Sequence, residues 1–179
     1  LYVPSTLKFL QDLAKYHRAK FNIPVIGITG SNGKTSTKEL MHSVLSKKFN
    51  TIATEGNLNN HLGVPFTLLR IKKEHEIAII EMGANRPGDI EELCNIASPT
   101  HGIITNIGKA HLEGFGNLEG VVKTKSALYH SVRKQNGVIF YNQEDLLLKS
   151  LLDSSTENIS FGKKDANITG QIIELTPYI

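Results

Sequence analysis

One stretch restricts the fold more than any other. Val25-Ile26-Gly27-Ile28-Thr29 reads as a buried strand, and Gly30-Ser31-Asn32-Gly33 must turn the chain. Lys34 to Lys48 then reads as a helix, with Leu40, Met41, Val44 and Leu45 on one face. Strand, glycine turn, helix is the repeating unit of a parallel sheet. The pattern recurs: strand candidates at 50–53, 76–82, 101–107 and 137–141 alternate with helix candidates at 65–71, 88–97, 117–132 and 144–152. A first helix is predicted over 5–20, its apolar side made by Leu7, Leu10, Leu13, Ala14 and His17. The fold class is therefore α/β, a three-layer, mostly parallel sheet covered on both faces. The last two strand candidates, 158–161 and 168–175, have no helix between them, which predicts an antiparallel edge or a small subdomain there.

Composition narrows the function classes. The chain has 179 residues, 40% hydrophobic and 21% charged, so it can build a core. A compact chain of this mass exposes about 8,600 Å² against about 28,600 Å² when extended, which is enough burial for one domain. The balance of 20 basic to 17 acidic residues gives +3, too weak to argue for a nucleic-acid surface. A lone cysteine, Cys94, allows neither an internal disulfide nor a multi-cysteine metal site, and suits a reducing compartment. No apolar run is long enough for a membrane-spanning helix. The chain opens on Leu1 with no signal-like segment and stops at Leu175-Thr176-Pro177-Tyr178-Ile179, so both ends read as cuts in a longer protein.

In a parallel sheet, ligands bind beyond the C-terminal ends of the strands. Thr29 to Thr35, Glu81, Asn106 to His111 and Asn142 all end or follow predicted strands, and are expected on one rim. Thr29-Gly30-Ser31-Asn32-Gly33-Lys34-Thr35 is the strongest signal. Glycines let backbone amides turn inward around phosphate oxygens, and the next helix aims its free N–H groups at the same anion. Lys34 would place a charge on the outer phosphates and Thr35 a hydroxyl on Mg²⁺. The strict phosphate-loop pattern needs glycine where Ile28 stands, so this is a variant. The plain alternative is a glycine turn that only starts a helix.

Glu81 ends an apolar strand and could anchor Mg²⁺, or could be a solvated strand-end acid. His111 lies just past another strand. Since hard cations prefer oxygen, its chemistry leaves Mn²⁺ or a phosphate contact open as well. Lys125 falls four residues from both Val121 and Tyr129, on the apolar side of its helix. It must snorkel outward or be chemically unusual. Asp89, Glu91 and Glu92 suit a helix N-terminus, and Cys94 suits a packed helix face.

Taken together, the motifs resemble those of the Mur ligases, most closely the branch that adds D-alanyl-D-alanine to a UDP-muramoyl tripeptide. The motifs are Thr29 to Thr35; Glu55-Gly56-Asn57-Leu58-Asn59-Asn60 with Gly63-Val64-Pro65; Glu81-Met82-Gly83-Ala84-Asn85; and Asn106-Ile107-Gly108-Lys109-Ala110-His111-Leu112-Glu113-Gly114-Phe115. The first names only the wider superfamily, which includes folylpolyglutamate synthase; the other three are specific to the branch. The resemblance implies that Gly30, Ser31, Asn32, Gly33, Lys34 and Thr35 hold ATP, with Lys34 on its phosphates. It implies that Thr35 and Glu81 serve one Mg²⁺, that His111 binds a second, and that Lys125 is carbamylated by CO₂ to support the metal site. Lys34, Lys125 and His111 would be the catalytic set, while Asn57, Asn59 and Asn60 would lie beside the muramoyl-peptide substrate.

The implied reaction is acyl activation in bacterial, cytoplasmic peptidoglycan precursor synthesis. The tripeptide carboxylate takes the γ-phosphate of ATP, and the amine of D-alanyl-D-alanine displaces phosphate from the acyl phosphate. Residues 1–4 would end an N-terminal domain or linker, and 5–179 would be an incomplete central ATP-binding domain whose other domains lie elsewhere in the same chain. Such a piece is expected to be inactive alone. The competing classes are a sister amide ligase such as a folate polyglutamylase, a phosphate-loop kinase or general NTPase, and a non-catalytic nucleotide-binding module. The loop from Asn57 to Pro65 weighs against the first, and retention of Lys34, Thr35, Glu81, His111 and Lys125 together weighs against the last.

Overall fold

A computed structural model describes residues 2–108, 112–170 and 173. The elements run α1 (Thr6–Arg18), β1 (Val25–Thr29), α2 (Lys34–Leu45), β2 (Thr51–Ala53), α3 (Gly63–Leu69), β3 (Ile77–Glu81), α4 (Asp89–Ala97) and β4 (His101–Ile104). They continue α5 (Leu112–Phe115), α6 (Leu118–Lys134), β5 (Val138–Asn142), α7 (Leu146–Ser150), β6 (Glu157–Gly162) and β7 (Ile168–Thr169). The strands form one seven-stranded sheet, in the order β2-β3-β1-β4-β5-β6-β7. Every pairing is parallel.

The expected antiparallel edge is therefore corrected: β6 and β7 pair in parallel, Phe161 opposite Ile168. Residues 163–167 manage this without a helix because Asn167 returns alongside Ser160. The Oδ1 of Asn167 accepts from the Ser160 N–H at 2.8 Å, and the Asn167 N–H donates to Ser160 Oγ at 2.9 Å. The resulting β7 has two residues, far shorter than the strand expected over 168–175, of which 171–172 and 174–175 lie outside the described residues.

Alternate residues of each strand feed two cores, as the period of two requires. Val25, Ala78, Ile80 and Ile104 face Ala14, Val64, Leu68, Leu93, Leu128 and Val132 of α1, α3, α4 and α6. Ile26, Ile28, Ile79 and Ile103 face Met41 and Leu45 of α2. Among the described residues this second face has only α2 over β1 and β3, and Phe140 and Phe161 stay half-buried there. Helix α1 is rotated from its expected seat: Gln11, Ala14 and Arg18 are buried while Leu13 is exposed. The Arg18 guanidinium turns it, donating to the carbonyls of Ala97, Phe21 and Ile23.

Strands β1 and β4 carry Gly27 and Gly102 side by side. A Cβ on Gly27 would meet Leu128 Cδ1 at 2.7 Å, and one on Gly102 would meet Val132 Cγ2 at 3.0 Å. The two glycines thus make a notch into which α6 sinks. That close approach brings Lys125, about one turn before Leu128, down onto the glycine loop.

Candidate phosphate and metal site

The glycine loop is held from behind before any ligand is considered. Strand β4 stops at Ile104, not at Ile107, because residues 105–108 leave the sheet to brace the loop. The Asn106 side chain grips the Asn32 peptide from both sides: Asn32 N–H donates to Oδ1 at 3.1 Å and Nδ2 donates to the Asn32 carbonyl at 3.0 Å. Thr105 Oγ1 donates to the same carbonyl at 2.6 Å, Ser31 N–H to the Asn106 carbonyl at 2.9 Å, and Gly108 N–H to Ser31 Oγ at 2.9 Å. Ser31 and Asn32 therefore spend their amides on the brace. Gly33 turns the chain into α2 with φ of 78°, a left-handed value that favours glycine. The amides of the first turn of α2 have no partner inside the helix and point toward an incoming anion.

Lys34 Nζ folds back onto the Gly30 carbonyl at 2.9 Å and the Ser31 carbonyl at 3.3 Å. Lys125 reaches the same Gly30 oxygen at 3.1 Å. Snorkelling is excluded for Lys125, which is only 4% exposed. Burial, with the like charge of Lys34 second, lowers its amine to a pKa of about 8. Two cations sharing one neutral oxygen make a site that favours a negative group between them.

Across the loop stands Glu81, 1% exposed at the end of β3. Its Oε1 accepts from Thr35 Oγ1 at 3.2 Å and from Asn59 Nδ2 at 2.8 Å, and its N–H donates to Thr54 Oγ1 at 3.0 Å. Its Oε2 is buried without a partner. An orphaned carboxylate oxygen is costly unless a cation meets it. A carboxylate oxygen next to a hydroxyl and a helix N-terminus fits Mg²⁺, a hard ion that keeps several waters and takes phosphate oxygens as further ligands. Among the described residues no three His, Cys, Asp or Glu side chains cluster as an all-protein metal cage.

The asparagine loop is mostly engaged with the protein itself. Asn60 Oδ1 accepts from the N–H groups of Leu62 and Gly63, both at 3.0 Å, closing the turn into α3. Asn57 is exposed and Asn59 half-buried. Gly30, Lys34, Asn59, Asn85 and Lys125 line a cavity of about 290 Å³, so both sides of the loop open into one space. Asn142 does not join them: it closes its own turn, accepting from Glu144 N–H at 3.0 Å. His111 and Lys109 lie outside the described residues. Asp89 and Glu92 lie in the first turn of α4 as expected, accepting from the N–H groups of Asn85 and Arg86 and from Gln11 respectively, and both also line this cavity. Cys94 packs in the core, where burial pushes its thiol up to about 12 and leaves it unreactive.

Sequence reasoning passed over Lys38 and Thr54. Lys38, 1% exposed, donates to the Thr54 carbonyl at 2.8 Å, and so ties α2 to the strand end beside Glu81. The signal was a lysine one helical turn past Lys34, hidden because a surface lysine has the same pattern.

The Mur ligase middle-domain family matches residues 28–177 of this chain. The chain belongs to the Mur ligase middle-domain family. The UDP-N-acetylmuramoyl-tripeptide--D-alanyl-D-alanine ligase of Bacillus subtilis (strain 168) is 38% identical to this Mur ligase domain over 162 residues, 90% of this chain and 35% of that protein. A crystal structure of MurF from Acinetobacter baumannii superposes with a TM-score of 0.88 at 39% identity, covering 99% of this chain and 39% of that one. MurF ligase from Thermotoga maritima in complex with ADP gives 0.85 at 36% identity, covering 93% of this chain and 39% of that one. This Mur ligase domain thus spans a little over a third of the relatives it matches. No described helix is long and apolar enough to cross a membrane.

Proposed function

We propose that this chain is the nucleotide-binding part of an ATP-dependent ligase that joins D-alanyl-D-alanine to UDP-N-acetylmuramoyl-tripeptide through an acyl phosphate. The observation that carries this reading is the convergence of Lys34, Lys125 and the Glu81 carboxylate, with its one open oxygen, around a single braced glycine loop. The identity and shape shared with relatives of that name support it.

The first-turn amides of α2 cradle the phosphates, and Lys34 leaves the Gly30 carbonyl to follow charge on the transferring phosphoryl group. The peptide carboxylate attacks the γ-phosphorus and ADP leaves. The amine of D-alanyl-D-alanine then attacks the acyl carbon, and phosphate departs. Thr35 and Glu81 would hold Mg²⁺, which neutralises phosphate charge. Lys125, neutral for part of the time near pH 8, can add its nitrogen to the carbon of CO₂, losing a proton to give a carbamate. That group would answer the two cations crowded at Gly30. Residues 1–4 close a preceding domain or linker, 5–179 are an incomplete central domain, and the acceptor-binding domains lie in the rest of a cytoplasmic protein. His111 is a second metal ligand and Asn57 a contact to the muramoyl peptide.

The deciding experiment measures phosphate release from ATP by the full-length protein with UDP-muramoyl tripeptide, with and without D-alanyl-D-alanine. Release that needs both substrates, and is lost in Lys34→Ala and Lys125→Ala, is expected. Release without either substrate would replace the ligase with a general NTPase, and release with a folate substrate would point to the sister ligase.

A further inference from the structure

We propose that Asn59 is a positioning residue for Glu81: it fixes the carboxylate so that Oε2 is the oxygen presented to Mg²⁺. This rests on the reading of Glu81 as a magnesium ligand. The last torsion of a glutamate is broad, so a carboxylate held at one point swivels and offers either oxygen. Here Oε1 is held from two different elements, by Thr35 Oγ1 from α2 and by Asn59 Nδ2 from the loop before α3. Only Oε2 is left open.

The backbone around Asn59 is built to aim that amide. Gly83 N–H donates to the Asn59 carbonyl at 2.7 Å, and the Asn59 N–H donates to the Asn57 carbonyl at 2.7 Å. A Cβ on Gly83 would lie 2.8 Å from Asn59 Oδ1, so the side chain occupies the space that a larger residue at 83 would need. Asn60, next along, is committed to the turn into α3 and stops the loop from sliding. With its backbone held at both N–H and carbonyl, and one of its two amide N–H donors given to the carboxylate, Asn59 is tied to the metal ligand. The Asn59 amide is also a neutral donor, so it orients Glu81 without cancelling the charge that attracts the cation.

The test is equilibrium binding of ADP to the full-length protein as Mg²⁺ is raised from an EDTA baseline, alongside the KM for UDP-muramoyl tripeptide. In Asn59→Leu the Mg²⁺ concentration that half-restores tight ADP binding should rise about tenfold, the range seen when partners of a metal ligand are removed. Binding in EDTA and the peptide KM should not change. Gly83→Ala, which displaces the Asn59 amide and leaves it in place chemically, should shift the Mg²⁺ requirement the same way by less. It reads the effect even if Asn59→Leu melts early by circular dichroism. An unchanged Mg²⁺ requirement with a raised peptide KM would make Asn59 a substrate contact and overturn the proposal alone. A wild-type protein whose ADP binding ignores Mg²⁺ would overturn the metal reading of Glu81, and the proposal with it.

Discussion

The two sides of the glycine loop solve opposite problems. On the acid side, Glu81 is held by Thr35, Asn59 and Thr54, and Lys38 lies beneath; Oε2 is the carboxylate oxygen buried there without a partner. On the basic side, Lys34 and Lys125 share one carbonyl, and among the described residues neither has an acidic partner. The acid side is satisfied by the protein itself apart from the Glu81 Oε2. The basic side is stable only as a compromise, and is arranged for charge that arrives later. On the proposed reading, a site divided in this way would hold Glu81 rigidly for a metal and let the two amines move with the reaction.

The largest expected effect comes from replacing that oxygen. Glu81→Gln keeps an acceptor for Thr35 and Asn59 but puts an amide nitrogen where Oε2 stood. Phosphate release should fall at least about a hundredfold, as when a group stabilising transition-state charge is lost, while the melting temperature stays near wild type. A variant that binds and turns over Mg-ATP normally would remove the contrast between the two sides.

Next comes the chemistry of the basic side. With the Lys125 amine lowered to about 8 from an ordinary 10.5, protonation blocks it below that value and frees it above. Carbamate formed with ¹³C-bicarbonate, read by NMR, should therefore grow from pH 7 to pH 9 and be absent in Lys125→Ala. Lys34→Met removes a like charge, so it should move the midpoint upward. The linkage has the same sign: between about 8 and 10.5 the unfolded chain binds more protons than the folded one, so this group makes stability rise with pH. Labelling that ignores pH over this range would show that Lys125 is not the depressed amine.

A smaller effect tests the brace common to both sides. Asn106→Ala leaves the Asn32 N–H without its partner and its carbonyl to Thr105 alone, and should weaken ADP binding about tenfold, the cost of roughly one lost hydrogen bond at the site. Isothermal titration would read it; unchanged affinity would mean that the loop keeps its shape unaided. Smallest is Asn60→Ala. Losing the turn into α3 should cost about 1 kcal/mol in denaturant unfolding, with turnover unaltered. A turnover loss larger than the stability loss would return Asn60 to the substrate side.

Much of this could be read in the sequence, and for identifiable reasons. The strand, glycine turn and helix at 25–45 were legible because local pattern and tertiary role agree there. Glu81 was legible in its place at the end of an apolar strand, but the choice between a metal anchor and a solvated acid was not, because its burial depends on α2 and the asparagine loop. Lys125 was legible only as an anomaly: its helical position said buried, but the Gly27 and Gly102 notch that brings it to Gly30 is a property of two strands far away. The β4 end was overrun because Thr105 to Ile107 look like strand, and only the loop they brace explains why they leave the sheet. The β6 to β7 pairing was missed because a parallel return without a helix depends on one side chain, Asn167.

The strand order also sets when this site can exist. Central β1 pairs with β3 and β4, so Ile26 waits for His101 before it has both neighbours. The glycine loop then waits for Asn106, and Lys125 arrives 95 residues after the carbonyl that receives it. On the ribosome, the loop leaves the exit tunnel long before its brace is made. Contacts this distant in sequence close slowly. The proposed nucleotide site thus forms only after β4 has joined β1 and α6 has been made, and its appearance marks the moment when the sheet has closed around its first strand.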